Sequence, residues 1–267
     1  MLKMKIPFKK MHGAGNDFIM VDDRARVFPI EDKAFIEKIA SRRTGIGSDG
    51  IILLQVSDCA DLKMRFINPD GNEQDMCGNG ARCFARLAYE LGAAPEKMTI
   101  ETAAGMLHAT VATDTVCLEL TTPTDWRMKL DAGLEQPVDF VNTGVPHVVV
   151  RVNDLETLDF SVLGSQLRHH ALFAPEGTNA NFVKVETDAT LSVRTYERGV
   201  EAETLACGTG ATATALIAAK HGWIKLPVTV HCAGGYDLVI DSGDGGTTLS
   251  GGAVTVFEGE IEYGNRV

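Results

Sequence analysis

No stretch of this 267-residue chain approaches the run of about 20 apolar residues that a membrane span needs. Its opening, Met1-Leu-Lys-Met-Lys-Ile-Pro-Phe-Lys-Lys10, lacks the hydrophobic segment and cleavage site of a signal peptide. Positive charge is scarce: 25 Lys and Arg stand against 36 Asp and Glu, a formal net charge of −11. That balance argues against a nucleic-acid surface, which wants a basic patch. There is no Cys-x-x-Cys pair and no Cys/His cluster with ligand spacing, so no structural metal is expected. The glycine-rich loops fit neither the dinucleotide fingerprint nor a P-loop. Six dispersed cysteines without an export signal read as free thiols in a reducing cytoplasm. What these absences leave is a globular chain, 45% apolar, with ample core for two ordinary domains.

What is present is an internal echo. Cys77-Gly-Asn-Gly-Ala-Arg82 and Cys207-Gly-Thr-Gly-Ala-Thr212 lie 207 − 77 = 130 residues apart, about half the chain. Cys77/Cys207, Gly78/Gly208, Gly80/Gly210, Ala81/Ala211, Ala85/Ala215, Ala88/Ala218 and Gly92/Gly222 make seven identities in 16 positions. Chance would give roughly one at ordinary composition. Thr99/Thr229, Ala103/Ala233 and Gly105/Gly235 keep the register. The chain therefore reads as two copies of one domain, 1–122 and 123–267, with the last strand free to return to the first. Thr121–Pro137, holding two prolines and few apolar runs, is the expected link.

Each half predicts short strands around one helix. A helix beginning at Cys77 places Phe84, Leu87, Ala88 and Leu91 on one stripe and Arg82, Arg86 and Glu90 on another. The helix from Cys207 to His221 is apolar all round until Lys220, the pattern of a helix buried on every side. Adjacent, antiparallel-looking strand runs about a single helix argue for an α+β fold rather than a doubly wound sheet.

The chemistry sits in the loops. A helix N-terminus lowers a thiol's pKa through its unpaired N–H groups and positive dipole end, and the same groups can seat a carboxylate. Cys77 and Cys207 both stand where a helix begins, as a pair able to remove a proton from one face of a carbon and return it to the other. Cys59, Cys83, Cys117 and Cys232 lack that setting and read as small buried hydrophobes. Other polar loops are His12–Asp17, Gly45–Gly50, Asn68–Gly71, Asn142–His147, Gly177–Asn181 and Glu197–Gly199. Together they suggest a polar pocket in which Arg198 pairs with a carboxylate while Glu197 and asparagines accept from ammonium groups. His147 fits a supporting role as well as a catalytic one.

These residues carry a family resemblance. Met11-His-Gly-Ala-Gly-Asn-Asp-Phe18, Asn68-Pro-Asp-Gly71, Cys77–Arg82, Glu197-Arg-Gly199 and Glu203-Thr-Leu-Ala-Cys-Gly-Thr-Gly210 resemble the diaminopimelate epimerases, over the whole chain. The resemblance implies interconversion of LL- and meso-2,6-diaminopimelate, on the bacterial route to lysine and peptidoglycan, with no cofactor, no pyridoxal phosphate and no metal. It implies a cytoplasmic isomerase with a small-molecule substrate and no nucleic-acid or membrane partner; a homodimer is compatible with it. The implied fold is two pseudo-symmetric domains, each wrapping barrel-like mixed β-strands around a central helix, with the site in the cleft. Cys77 and Cys207 would be acid and base. Asn16, Asn68, Gly78, Asn79, Asn179, Glu197, Arg198, Gly208 and Thr209 would bind substrate. This chain departs from many members in carrying Val145 in place of Asn, and from some in carrying Gly50 in place of Gln. The nearest alternatives in the same fold are a proline or hydroxyproline racemase, which keeps two cysteines, and a phenazine-biosynthesis-type isomerase, which lacks them.

Overall fold

A computed structural model describes residues 4–264. The first sequence half runs β1 (Met4–Gly13), β2 (Asn16–Asp22), α1 (Lys33–Ala40), β3 (Gly50–Gln55), β4 (Leu62–Ile67), β5 (Glu73–Gln74), α2 (Gly78–Glu90), β6 (Lys97–Thr102), β7 (Gly105–Val111) and β8 (Val116–Leu120). The second runs β9 (Thr124–Leu130), β10 (Val138–Asn142), β11 (Pro146–Arg151), α3 (Phe160–Arg168), β12 (Asn179–Thr187), β13 (Thr190–Glu197), β14 (Ala202–Thr204), α4 (Gly208–Lys220), β15 (Val228–Cys232), β16 (Asp237–Gly243), β17 (Gly246–Gly251) and β18 (Val254–Tyr263). The fold is α+β and mixed. The parallel pairs β2–β3 and β4–β6 of the first half recur as β11–β12 and β13–β15 of the second.

Two compact units divide the chain. One holds everything up to Leu118 and everything from Gly251 on; the other holds Glu119–Ser250. The division does not follow the repeat. Strand β18 pairs antiparallel with β1 and so belongs to the first unit although it lies in the second sequence half, whereas β9 pairs with β10 inside the second unit. The segment Thr121–Pro137, expected as a link, thus contains a sheet strand. Its apolar pattern is weak because four of its seven residues are charged or Thr and none is fully buried.

In the first unit α2 lies against β1, β2, β3, β4 and β7. Strand β3 is buried at all six positions and shows why. Ile51 and Leu53 join Phe35, Ile36 and Ile39 of α1 in one cluster. On the other face Ile52 reaches α2, where a Cβ on Gly80 would stand 2.5 Å from its Cδ1. A sheet covered on both sides reads as a continuous apolar run. On the second stripe Arg82 and Arg86 are buried. Arg82 donates to Asn79 Oδ1 at 2.8 Å and to the Gly252 carbonyl at 3.4 Å, and Arg86 donates to the Ala112 carbonyl at 2.7 Å. Guanidinium groups carry enough donors to be buried against main-chain oxygens.

In the second unit α4 lies against β10, β11, β12, β13, β15 and β16. It is buried from Gly210 to Ala218, as its apolar circumference predicts. Helix α3 covers the opposite face, with Phe160 and Leu167 packed on Ala180 and Phe182. Gly92 and Gly222, 130 residues apart, follow α2 and α4 with φ of +63° and +72°, the left-handed conformation that ends a helix. Of the four cysteines read as buried, Cys83 and Cys232 are so, but Cys59 is exposed. It lies in a turn closed by Ser57 Oγ, which accepts from the Cys59 and Ala60 N–H groups.

Gly50 has a packing reason. A Cβ there would lie 2.3 Å from the Phe66 ring and 2.9 Å from the Ile67 carbonyl oxygen. The ring is held edge-on against Phe18. Gly50→Ala is expected to cost about 1–3 kcal/mol through overpacking, read as a lowered Tm. An unchanged Tm would mean that the β3–β4 pair has slack this backbone does not show.

Candidate active site

Both thiols of the repeat sit at helix N-caps. Cys77 precedes α2 with φ −140° and ψ 118°, and Cys207 precedes α4 with φ −118° and ψ 108°. These extended conformations turn the chain into each helix, and neither cap position makes a side-chain cap bond. The first-turn N–H groups of both helices therefore lack the partner that a Ser or Asp cap would supply. The motif's glycines divide the work. A Cβ on Gly78 would meet nothing within 4 Å, leaving open approach over the first turn of α2. A Cβ on Gly210 would stand 2.4 Å from Asn181 Oδ1, so that glycine allows α4 to close onto β12.

Around Cys77 the first unit assembles a polar chain. The thiol donates to Asn16 Oδ1 at 3.4 Å, and Asn79 Nδ2 reaches the same oxygen at 3.4 Å. Asn16 Nδ2 donates to Asp49 Oδ2 at 2.7 Å. A carboxylate only accepts, so Asp49 fixes which end of the Asn16 amide faces the thiol. Arg42 binds both Asp49 and Asp17, and the buried Lys10 pairs with Asp17. Burial opposes ionisation of Asp17, but Arg42 and Lys10 prevail and hold its carboxyl at about 2. Asn68 stands in the turn after β4, closed by Gly71 N–H donating to its carbonyl at 2.9 Å. Asn16, Asn79 and Cys77 are thus gathered in contact; Asn68 is placed by its turn.

Around Cys207 the second unit gathers Glu197, Thr209, His147 and Asn179. Thr209 Oγ1 lies 3.5 Å from the sulfur and 2.9 Å from His147 Nε2. Asn179 Oδ1 accepts from the Arg198 N–H at 2.8 Å, while its Nδ2 donates to the Pro146 carbonyl at 2.9 Å. The Arg198 guanidinium donates to the Glu176 carbonyl at 3.3 Å and makes no ion pair among the described residues. Burial raises the Glu197 pKa. Burial, and then the nearby Glu197 carboxyl, push the Cys207 thiol up to about 12; the Thr209 hydroxyl and the Gly210 N–H pull it down by less. His147 is completely buried; burial, and then the Arg198 charge, lower its pKa to about 3, so its ring is neutral. A thiol held neutral here needs an incoming cation, such as a substrate ammonium, before it ionises readily.

The polar loops Gly45–Gly50 and Gly177–Asn181 contain Asp49 and Asn181, but without a role for either, and Arg42 and Lys10 were not singled out. For Asp49 and Asn181 a signal was available: a charged or amide residue at the start of an apolar strand asks for a partner. Among the described residues no group of three or more His, Cys, Asp or Glu is arranged to hold a metal, and no helix is long and apolar enough to cross a membrane.

A family model described as diaminopimelate epimerase matches residues 8–124 and 140–260, one stretch per half. A curated diaminopimelate epimerase of Aquifex aeolicus is 42% identical over 270 residues, covering 95% of this chain and 97% of that protein. Among solved structures, a Bacillus anthracis phenazine biosynthesis protein of the PhzF family aligns with TM-score 0.74 at 18% identity, over 97% of this chain and 99% of that one. A probable proline racemase from Agrobacterium radiobacter K84 aligns with TM-score 0.65 at 16% identity, over 96% and 92%. The two solved structures share the fold. Two matched repeats and 42% identity across nearly the full chain go further: this chain belongs to the diaminopimelate epimerase family.

Proposed function

We propose that this protein is an isomerase that epimerises LL-2,6-diaminopimelate to the meso form, using Cys77 and Cys207 as base and acid. The observation that carries the reading is the repeated cysteine at an uncapped helix start, within a family named for this reaction. One sulfur, as thiolate, takes the α-proton; the other, as thiol, gives its proton to the opposite face of the same carbon. One C–H bond breaks and one forms, so the atoms balance without a cofactor, and the two sulfurs end with their protonation states exchanged. The base must be ionised while its partner is not, and the reverse reaction swaps the roles.

The surrounding groups suit the charges of an amino acid. First-turn N–H groups of α2 and α4, including those of Gly78, Asn79, Gly208 and Thr209, are donors for the α-carboxylate and for charge that develops as the α-proton leaves. Arg198 supplies a planar fork for a carboxylate. Asn16, Asn68, Asn179 and Glu197 supply acceptors for ammonium groups. His147 supports this site by holding Thr209. A cytoplasmic setting follows from the free thiols this chemistry requires.

The test is exchange of the α-hydrogen in deuterated water. Deuterium is expected to enter both LL- and meso-diaminopimelate and not proline. Exchange into proline alone would replace this assignment by the racemase alternative.

A further inference from the structure

In the second unit a run of four side chains has hydrogen-bond directions that can be fixed one at a time. The Val148 carbonyl oxygen can only accept, and Asn181 Nδ2 lies 2.9 Å from it. The other end of the amide, Oδ1, accepts from the Thr195 hydroxyl at 2.9 Å, which agrees with that orientation. The second Nδ2 proton therefore faces His147 Nδ1, 3.1 Å away. His147 is neutral, and a neutral ring that accepts at Nδ1 carries its proton on Nε2. Nε2 stands 2.9 Å from Thr209 Oγ1, so Thr209 accepts there. Its own proton is left for another partner, and Cys207 Sγ is 3.5 Å away.

We propose that Asn181 is a positioning residue for Cys207: it selects the Nε2-protonated tautomer of His147 and so turns the Thr209 hydroxyl into a donor aimed at the Cys207 sulfur. A donor pointed at sulfur favours thiolate over thiol. It works against burial, Glu197 and Cys232, which all favour the thiol, while Arg198 helps keep His147 uncharged. The first unit has the opposite polarity. There Asp49 turns the Asn16 oxygen toward Cys77, and an amide oxygen can only accept from a thiol. The two helix starts match in backbone, yet Asn16 and Thr209 differ in which form of the cysteine they favour.

The catalytic meaning of this relay rests on the proposed role of Cys207, but its test needs no turnover. Ring-nitrogen resonances of labelled wild-type protein are expected to show His147 protonated at Nε2 and bare at Nδ1. Alkylation of Cys207 by iodoacetamide, followed against pH by peptide mass spectrometry, reads the thiolate. Thr209→Val is expected to slow alkylation at fixed pH by about tenfold or more, one unit in apparent pKa. Thr209→Ser, which keeps the hydroxyl, is expected to stay near wild type. Asn181→Leu, similar in shape but without the amide, is expected to behave like Thr209→Val. A His147 proton on Nδ1 would overturn the proposal. So would an alkylation profile unchanged in Thr209→Val, or in a folded Asn181→Leu protein. Should Asn181→Leu fail to fold, the wild-type tautomer and the Thr209 pair still decide. A relay that behaves as expected in a wild-type protein that does not epimerise would sink the functional reading and spare this one.

Discussion

Cys77→Ala and Cys207→Ala are each expected to abolish epimerisation in both directions. A single positioned acid or base is worth about 10²–10⁴-fold. Each thiol takes part in every turnover, as base one way and acid the other, so neither direction survives the loss of one. The fold is expected to tolerate both changes, because neither cysteine makes a side-chain cap bond that alanine would remove. Cys83→Ala is the matched control. Cys83 lies on α2 six residues from Cys77, but it is fully buried, and burial pushes its thiol up to about 12. It is expected to keep most of the activity. Near-normal turnover by either Cys77→Ala or Cys207→Ala would remove the two-base mechanism.

The second large effect is on acid stability. His147 has a pKa of about 3 in the fold against 6.5 for the free side chain. The folded value is the lower one, so between these limits the unfolded chain binds the extra proton. Stability contributed by keeping the ring neutral is fully present above about 6.5 and is lost as pH falls toward 3. Over the whole window the loss is on the order of 5 kcal/mol, at 1.36 kcal/mol for each unit. His147→Gln cannot titrate and can still donate to Thr209. It is expected to flatten the fall in unfolding free energy measured by urea titration across that window. The paired carboxylates, Asp17 among them, give the same sign at lower pH and remain in both proteins. Equal slopes for wild type and variant would mean that His147 does not carry the acid sensitivity.

Much of this molecule was legible because the repeat and the apolar periods are strong. β4 and β8 begin and end where their apolar patterns do, and α2 and α4 start one residue after their cysteines. Strand β9 escaped because its order is imposed from outside. Asp125 and Lys129 have positive φ, and the pairing with β10 shifts register twice, so no alternation survives in the sequence. The burial of Arg82 was not legible for a related reason. Its spacing describes a helix face, but only the tertiary contact to the Gly252 carbonyl reveals that the face is interior. Cys59 went wrong through turn chemistry: Ser57 closes a loop that lifts the thiol to the surface. The thiol loops were found by identity of type and offset. The orienting roles of Asp49 and Asn181 were not, although their loops were singled out, since both act through hydrogen bonds whose partners lie more than 30 residues away.

The return of β18 to β1 sets the order in which the chain can complete itself. Lys5 and Glu260, paired across β1 and β18, are 255 residues apart. The second unit is one continuous stretch, so all its strands are available once Ser250 has been synthesised. The first unit, although it begins the chain, must wait for residues beyond Gly251. Until then the edge of β1 has no partner on that side, and an open edge invites pairing with other chains. Domains usually mature from the N-terminus as synthesis proceeds; here the later unit is the first whose sequence is whole. Closing the first across so long an interval also carries a larger loop-entropy cost than any pairing inside the second.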